Sequence, residues 1–115
     1  MPKRLYILVA VVFGISACAM ESAPPLGSGL PANIQQAELV FDQRLKQRFP
    51  VGSDENILLA ELNKEGFTIS QLGDHQFGAI YTVTGFPCRS DWSVQWTVDA
   101  EKIALIHGIY GLTCT

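Results

Sequence analysis

The chain has 115 residues and a formal net charge of −3, which limits it to one domain with a modest core. Without Lys3 and Arg4, which belong to a predicted export signal, six basic residues face eleven acidic ones, and the net charge becomes −5. Phosphate binding requires clustered cations, so this balance argues against nucleic acid or an anionic lipid surface as the main partner.

Residues 1–17 have the pattern of an export signal. Two basic residues precede an apolar run at 5–14, which is too short to span a bilayer but typical of a signal core. The run ends in Ile-Ser-Ala-Cys at 15–18. This sequence resembles the lipobox of bacterial lipoproteins, which implies that Cys18 is acylated and becomes the first mature residue. The alternative is an ordinary secretory signal that is cut after Ala17.

The residue after the cysteine bears on the location. Ala19, rather than Asp, follows Cys18. By resemblance to the sorting rule of Gram-negative lipoproteins, this favours the outer membrane over the inner one. We therefore expect a lipid anchor in the outer membrane and a domain that faces the periplasm. Residues 19–33 contain prolines, glycines and serines without apolar periodicity, which is typical of a linker. Residues 18–33 are interpreted as the lipidated cysteine and a flexible tether, and residues 34–115 as a single domain.

Two amphipathic helices are predicted next. Ile34, Ala37, Phe41 and Leu45 recur at a spacing of three or four, which predicts a helix of about fifteen residues with Asn33 as its N-cap.

The second helix is predicted to follow at once, with Ser53 as its N-cap and Gly66 ending it in a left-handed conformation. Its buried face is expected to consist of four apolar residues, Ile57, Leu58, Leu59 and Leu62.

The second half of the chain has the period of strands. Strands are predicted at 67–71, 77–84, 92–98 and 102–112, because apolar and polar residues alternate between turn signals. The expected fold class is therefore α+β, with two N-terminal helices packed on one face of a three- to four-stranded antiparallel sheet.

Two cysteines lie near the ends of the last two predicted strands. If Ala100 and Glu101 form a two-residue turn, Cys88 lies opposite Thr113 and beside Cys114. An irregular approach at 85–87 could absorb this offset. A disulfide between Cys88 and Cys114 is predicted for an exported domain; a metal site or a catalytic thiol is the alternative.

The same register assigns the two faces of the sheet. It places Leu105, His107 and Ile109 in the core, together with the tryptophans of the third strand. The opposite face then carries Ile106, Tyr110 and Gln95, with few charges. This face is a candidate partner-binding surface, although it could equally be a half-buried face without a partner.

Histidine is the first residue type to consider for catalysis or metal binding. His107 lies in an apolar strand and is interpreted as a core residue, whereas His75 is expected to be exposed in a loop. No motif of a serine hydrolase, a phosphate-binding loop or a zinc protease occurs in the sequence. We expect no catalytic residue, no metal and no cofactor.

The order of elements carries a family resemblance. The segments at 49–53 and 66–67, the tryptophans at 92 and 96, and the hairpin at 99–103 resemble the SmpA/OmlA-type outer-membrane lipoproteins. The resemblance covers residues 48–112, and it implies a β-lactamase-inhibitor-protein-like fold. Its best-known member is an accessory subunit of the β-barrel assembly machinery. The expected function is a non-catalytic envelope lipoprotein that binds another envelope protein; the alternative is a periplasmic inhibitor of a hydrolase, such as a lysozyme or a protease.

Overall fold

The computed structural model describes residues 22–114, and the predicted signal peptide and Cys18 lie outside these residues. The fold is α+β, as predicted. A short 3₁₀ turn, two helices and four strands follow in chain order: Pro25–Gly27, α1 (Ile34–Arg48), α2 (Glu55–Glu65), β1 (Thr68–Gly73), β2 (Gln76–Val83), β3 (Cys88–Asp99) and β4 (Lys102–Cys114). The strands form one antiparallel sheet in the order β1-β2-β3-β4. None of the helices within 22–114 has the length and apolarity needed to cross a membrane.

Helix α1 begins where the sequence predicts. The Asn33 side chain accepts a hydrogen bond from the backbone N–H of Gln36 at 3.0 Å, which satisfies one of the free donors of the first turn. Ala37, Phe41 and Leu45 are buried, so three of the four apolar residues that defined the helix face the core.

Helix α2 starts one residue later than predicted, because Asp54 rather than Ser53 caps it. The Ser53 hydroxyl instead donates to the Pro50 carbonyl within the turn between the helices. Gly66 ends the helix in the left-handed region, as predicted, with φ at 95°. Ile57 is 60% exposed, so its predicted burial is wrong.

A bulge in β4 decides which residues of that strand face the helices. Val98 pairs with Ile103 and Thr97 pairs with Leu105, so Ala104 has no partner on β3. One extra residue reverses the direction of every side chain that follows it. The predicted core positions of Leu105, His107 and Ile109 are therefore wrong.

The helices cover one face of the sheet. The core there contains Leu26 with apolar residues of the helices, their ends and three strands, and Ile69 of β1 is partly buried against it. The buried residues are Phe41, Leu45, Phe49, Leu58, Leu62, Phe67, Ala79, Trp92, Val94, Trp96, Ile103 and Ile106. The Trp96 indole N–H donates to a Glu55 carboxylate oxygen at 2.9 Å, which gives this buried ring its polar partner.

The segment before α1 is packed on the domain, which corrects the prediction of a flexible tether through residue 33. Leu26 is fully buried in the core. The Arg44 guanidinium donates to the carbonyls of Leu26 and Ser28, each at 2.8 Å. We call residues 22–30 the strap. Composition predicts a linker because one buried leucine among prolines and glycines produces no periodic pattern.

Candidate functional site

The sheet face opposite the helices is the candidate site, and we call it the outer face. Leu72, Ile80 and Leu105 are 56%, 45% and 58% exposed and lie on β1, β2 and β4. Gln95 and His107 pair across β3 and β4 on the same face, and both are exposed. Within residues 22–114, both helices pack on the other side of the sheet.

Among the described residues, no Lys, Arg, Asp or Glu side chain lies in the middle of the outer face. Ser93, Gln95 and Thr97 occupy its β3 positions. Carboxylates occur only toward the two ends of that strand, at Asp91 and Asp99. Solvated sheet faces usually carry lysines and glutamates, so an uncharged centre with exposed leucines and isoleucine is typical of an interaction surface.

A shallow depression of about 270 Å³ lies on this face. Its lining includes Leu72, Gln76, Gln95, Thr97, Leu105 and His107. Pockets that enclose small-molecule substrates are usually larger and deeper, from about 300 Å³ upward. The depression on the outer face lies just below that range.

Two of the three predicted binding residues are misplaced. Gln95 lies on the outer face as predicted, but Ile106 is only 1% exposed. The Tyr110 ring packs on the helix side with its centroid 5.3 Å from that of Trp92. The bulge at Ala104 turns both Ile106 and Tyr110 toward the helices, so neither lies on the outer face; Ile106 is buried there and Tyr110 is half-buried.

The sequence contained two signals of this bulge. The tight-turn register left Cys88 one residue away from Cys114, and the offset is absorbed in β4 rather than at 85–87. A glycine within a strand, Gly108, indicates a close approach of another backbone, and α1 crosses β4 at that residue. These signals indicate an irregularity near β4, and the structure places it at Ala104, which puts Leu105 on the outer face.

Cys88 and Cys114 pair directly across β3 and β4. Their sulfur atoms are bonded at 2.04 Å, and 26 positions separate the two residues in the chain. The bond ties the end of β4 to the start of β3 and thereby closes the hairpin that carries half of the outer face.

A carboxylate of α1 caps the open edge of β4. Asp42 Oδ1 accepts the backbone N–H of Gly108 at 2.8 Å and lies 3.1 Å from His107 Nδ1. Lys46 Nζ contacts the same carboxylate at 2.6 Å. Partial burial favours a higher pKa for Asp42, but the hydrogen bonds from Lys46 and Gly108 and the nearby positive charges outweigh it, so the pKa lies below its usual value.

This arrangement has a structural explanation. An exposed sheet edge offers unpaired N–H groups to other chains, and Asp42 occupies one of them. The His107 side chain is 52% exposed, which corrects its predicted place in the core. Its imidazole reaches around the strand edge to Asp42.

A pair of carboxyl groups, Glu61 and Glu65, lies where the strap meets α2. Glu65 Oε1 accepts the backbone N–H of Leu26 at 2.9 Å. Burial and the neighbouring Glu61 carboxyl together raise the pKa of Glu65 to about 7, against the opposing effect of the Leu26 hydrogen bond and Arg48. The Glu65 carboxyl lowers the pKa of Glu61 in turn, and Arg48, 3.7 Å from Glu61, acts in the same direction.

The remaining candidate for chemistry is His75, which lies exposed in the turn between β1 and β2, as predicted. Its carbonyl accepts the backbone N–H of Val98 at 2.9 Å, so this residue connects two neighbouring turns. Among residues 22–114, no group of three or more His, Cys, Asp or Glu side chains could hold a metal ion.

No family model, curated protein or solved structure matches the chain. The resemblance to the SmpA/OmlA-type lipoproteins therefore stays a prediction.

Proposed function

We propose that this protein is a non-catalytic, lipid-anchored envelope lipoprotein that binds another envelope protein through the outer face. The observation that carries the proposal is the outer face itself. Leu72, Ile80 and Leu105 are exposed there around an uncharged centre, while the opposite face is filled by both helices.

The chemistry of the outer face favours a protein partner over a small molecule. Its apolar side chains are spread over three strands, and the depression between them is open and shallow. Exposed apolar residues beside amide and hydroxyl groups, such as Gln95 and Thr97, are typical of the centre of a protein interface.

The location is proposed from the sequence. The Ile-Ser-Ala-Cys segment at 15–18 supports acylation of Cys18, and Ala19 supports the outer membrane. Acyl chains at one cysteine would hold the domain at the membrane surface.

A double substitution tests the outer face. Leu105→Lys with Ile80→Lys places two charges in the proposed interface, and burying unpaired charges is strongly unfavourable. We expect the wild-type chain to retain a partner in affinity capture from solubilised, cross-linked envelopes, and the variant to lose it. Mass spectrometry identifies the retained protein.

The matched control places the same charges on exposed apolar positions of the helices. Leu39 and Ile57 are 56% and 60% exposed, and Leu39→Lys with Ile57→Lys should retain the partner. Equal retention by both double variants would remove the outer face as the binding site. A captured hydrolase that the purified domain inhibits would select the inhibitor alternative.

A further inference from the structure

The sheet has two ends of different chemistry. The turns at Asp74–His75 and Ala100–Glu101 lie together, because Val98, near the second turn, donates a backbone hydrogen bond to His75. We call this the turn end. The opposite end contains the β2–β3 loop at 84–87 and the last residues of β4, joined to β3 by the disulfide. We call it the loop end.

Charge is concentrated at the turn end. Five acidic residues and one lysine occur there, Asp54, Glu55, Asp74, Asp99, Glu101 and Lys102. At the loop end, residues 84–87 and 112–114 carry no charged side chain. Arg89, the nearest cation in the following strand, pairs with Asp91 at 3.3 Å.

The loop end also presents the most exposed large apolar side chain of those described. Phe86 is 91% exposed in the β2–β3 loop. Leu112 at the same end is 39% exposed. Exposure of a phenylalanine side chain to water is unfavourable. Transfer of aromatic and leucine side chains into the boundary between lipid headgroups and acyl chains lowers the free energy.

The chain enters the domain near this end. The Tyr81 hydroxyl donates to the Ser22 carbonyl at 3.5 Å, and Tyr81 lies two residues before the end of β2. Ser22 lies four positions after Cys18, which gives a span of about 14 Å at most. The strap is packed on the domain from Ala23 onward, so it does not increase the distance that the chain can span between Cys18 and the domain.

We propose that the loop end rests on the membrane and that Phe86 enters the lipid boundary beside the acylated Cys18. This inference rests on the lipid anchor of the proposed function. It fixes the orientation of the domain: the strands stand upright on the membrane, the acidic turn end points away from it, and the outer face looks sideways along the surface. Residues 84–87 and 112–114 carry no charged side chain that would have to be desolvated on contact with lipid.

Tryptophan at the two ends tests this orientation in the full acylated chain. Phe86→Trp and Val51→Trp are each reconstituted into phosphatidylcholine vesicles whose acyl chains carry bromine, a quencher that acts at contact. Val51 is 69% exposed in the turn between the helices, next to the turn end. Trp92 and Trp96 are buried in both variants and give the same background.

We expect the fluorescence of the Phe86→Trp chain to be weaker in brominated than in unbrominated vesicles. Its emission should also lie at shorter wavelength than that of the Val51→Trp chain. The fluorescence of the Val51→Trp chain should be the same in both kinds of vesicle. If bromine quenches the two acylated variants equally, the inference is overturned and the proposed function is unaffected. A chain whose mass shows no acyl group at Cys18 would overturn both.

Discussion

Gly108 sets the distance between α1 and β4. A Cβ atom at this residue would lie 2.6 Å from Leu45 Cδ1 and 3.0 Å from Phe41 Cδ2. Both neighbours are fully buried, so they have no free space into which to move. The hydrogen bond from the Gly108 N–H to Asp42 requires the same close approach.

Gly108→Ala is therefore expected to destabilise the domain by about 1–3 kcal/mol, the usual cost of overpacking. Urea unfolding followed by tryptophan fluorescence measures the change. Gly111→Ala is the control on the same strand, because a Cβ there meets nothing within 4 Å, and we expect a change below about 0.5 kcal/mol. Equal stability of the two variants would show that α1 does not pack at Gly108.

Glu65 is the residue at which stability should respond to pH. Its pKa is raised from 4.5 to about 7, so the folded state binds the proton more tightly than the unfolded state. Stability is then highest below about pH 4.5 and falls as the pH rises through about 7. The pKa of Glu61 is lowered, so Glu61 acts in a different pH range. Its contribution to stability is present above the ordinary pKa of a glutamate and is lost as the pH falls below that value.

Glu65→Gln should flatten the decline of stability between about pH 4.5 and 7 and raise stability above that range. The neutral amide can still accept the Leu26 N–H. Since the carboxyl is partly solvated, we expect on the order of 1 kcal/mol. Urea midpoints across this pH range measure the effect. An unchanged slope in the variant would mean that another group titrates.

At the scale of elements, the sequence predicts both helices and all four strands but misses the irregularities in β1 and β4, of which the bulge in β4 has the larger consequence. Helix α1 follows from the spacing of Ala37, Phe41 and Leu45, and Gly66 gives the end of α2. The extra residue, Ala104, is as compatible with regular pairing as its neighbours are. Side chains of a strand alternate between its two faces, so one missed residue assigns every later residue of β4 to the wrong face. Ile106 and Tyr110, which the sequence pattern assigns to the binding surface, are among them.

The strap is the element that composition alone misreads. Leu26 → Ala should cost about 2–5 kcal/mol, because Leu26 is fully buried in the core and the substitution leaves a cavity. Leu39→Ala is the control, since Leu39 is 56% exposed on α1. Urea unfolding compares the two variants. If Leu26→Ala unfolds like Leu39→Ala, the segment before α1 is a tether after all.

At the scale of the whole molecule, we expect the three cysteines to have separate roles, with Cys88 and Cys114 in the disulfide and Cys18 in the proposed lipid anchor. The disulfide closes a loop across 26 positions, and chain entropy assigns it about 3.5 kcal/mol. The double variant Cys88→Ala, Cys114→Ala should lose that stability yet remain in the membrane fraction. Cys18→Ala should leave the urea midpoint unchanged and move the protein out of the membrane fraction.

Two measurements separate these roles, namely fractionation of cells and unfolding of the purified chain. Adding a reductant should lower the urea midpoint of the Cys18→Ala variant, which keeps the disulfide, and leave that of the double variant unchanged. A Cys18→Ala chain that stays in the membrane fraction would contradict lipid anchoring through this residue.

The sequence by itself determines the helices, the strands, the hairpin turn at Ala100–Glu101 and the pairing of Cys88 with Cys114, because each depends on local spacing or on few partners. Only the tertiary structure decides which β4 residues face outward and that Leu26 belongs to the core. The reason is physical. The bulge and the strap are selected by how α1 and Trp92 pack against Gly108 and Gly27, and such contacts between distant segments leave no periodic trace in the sequence.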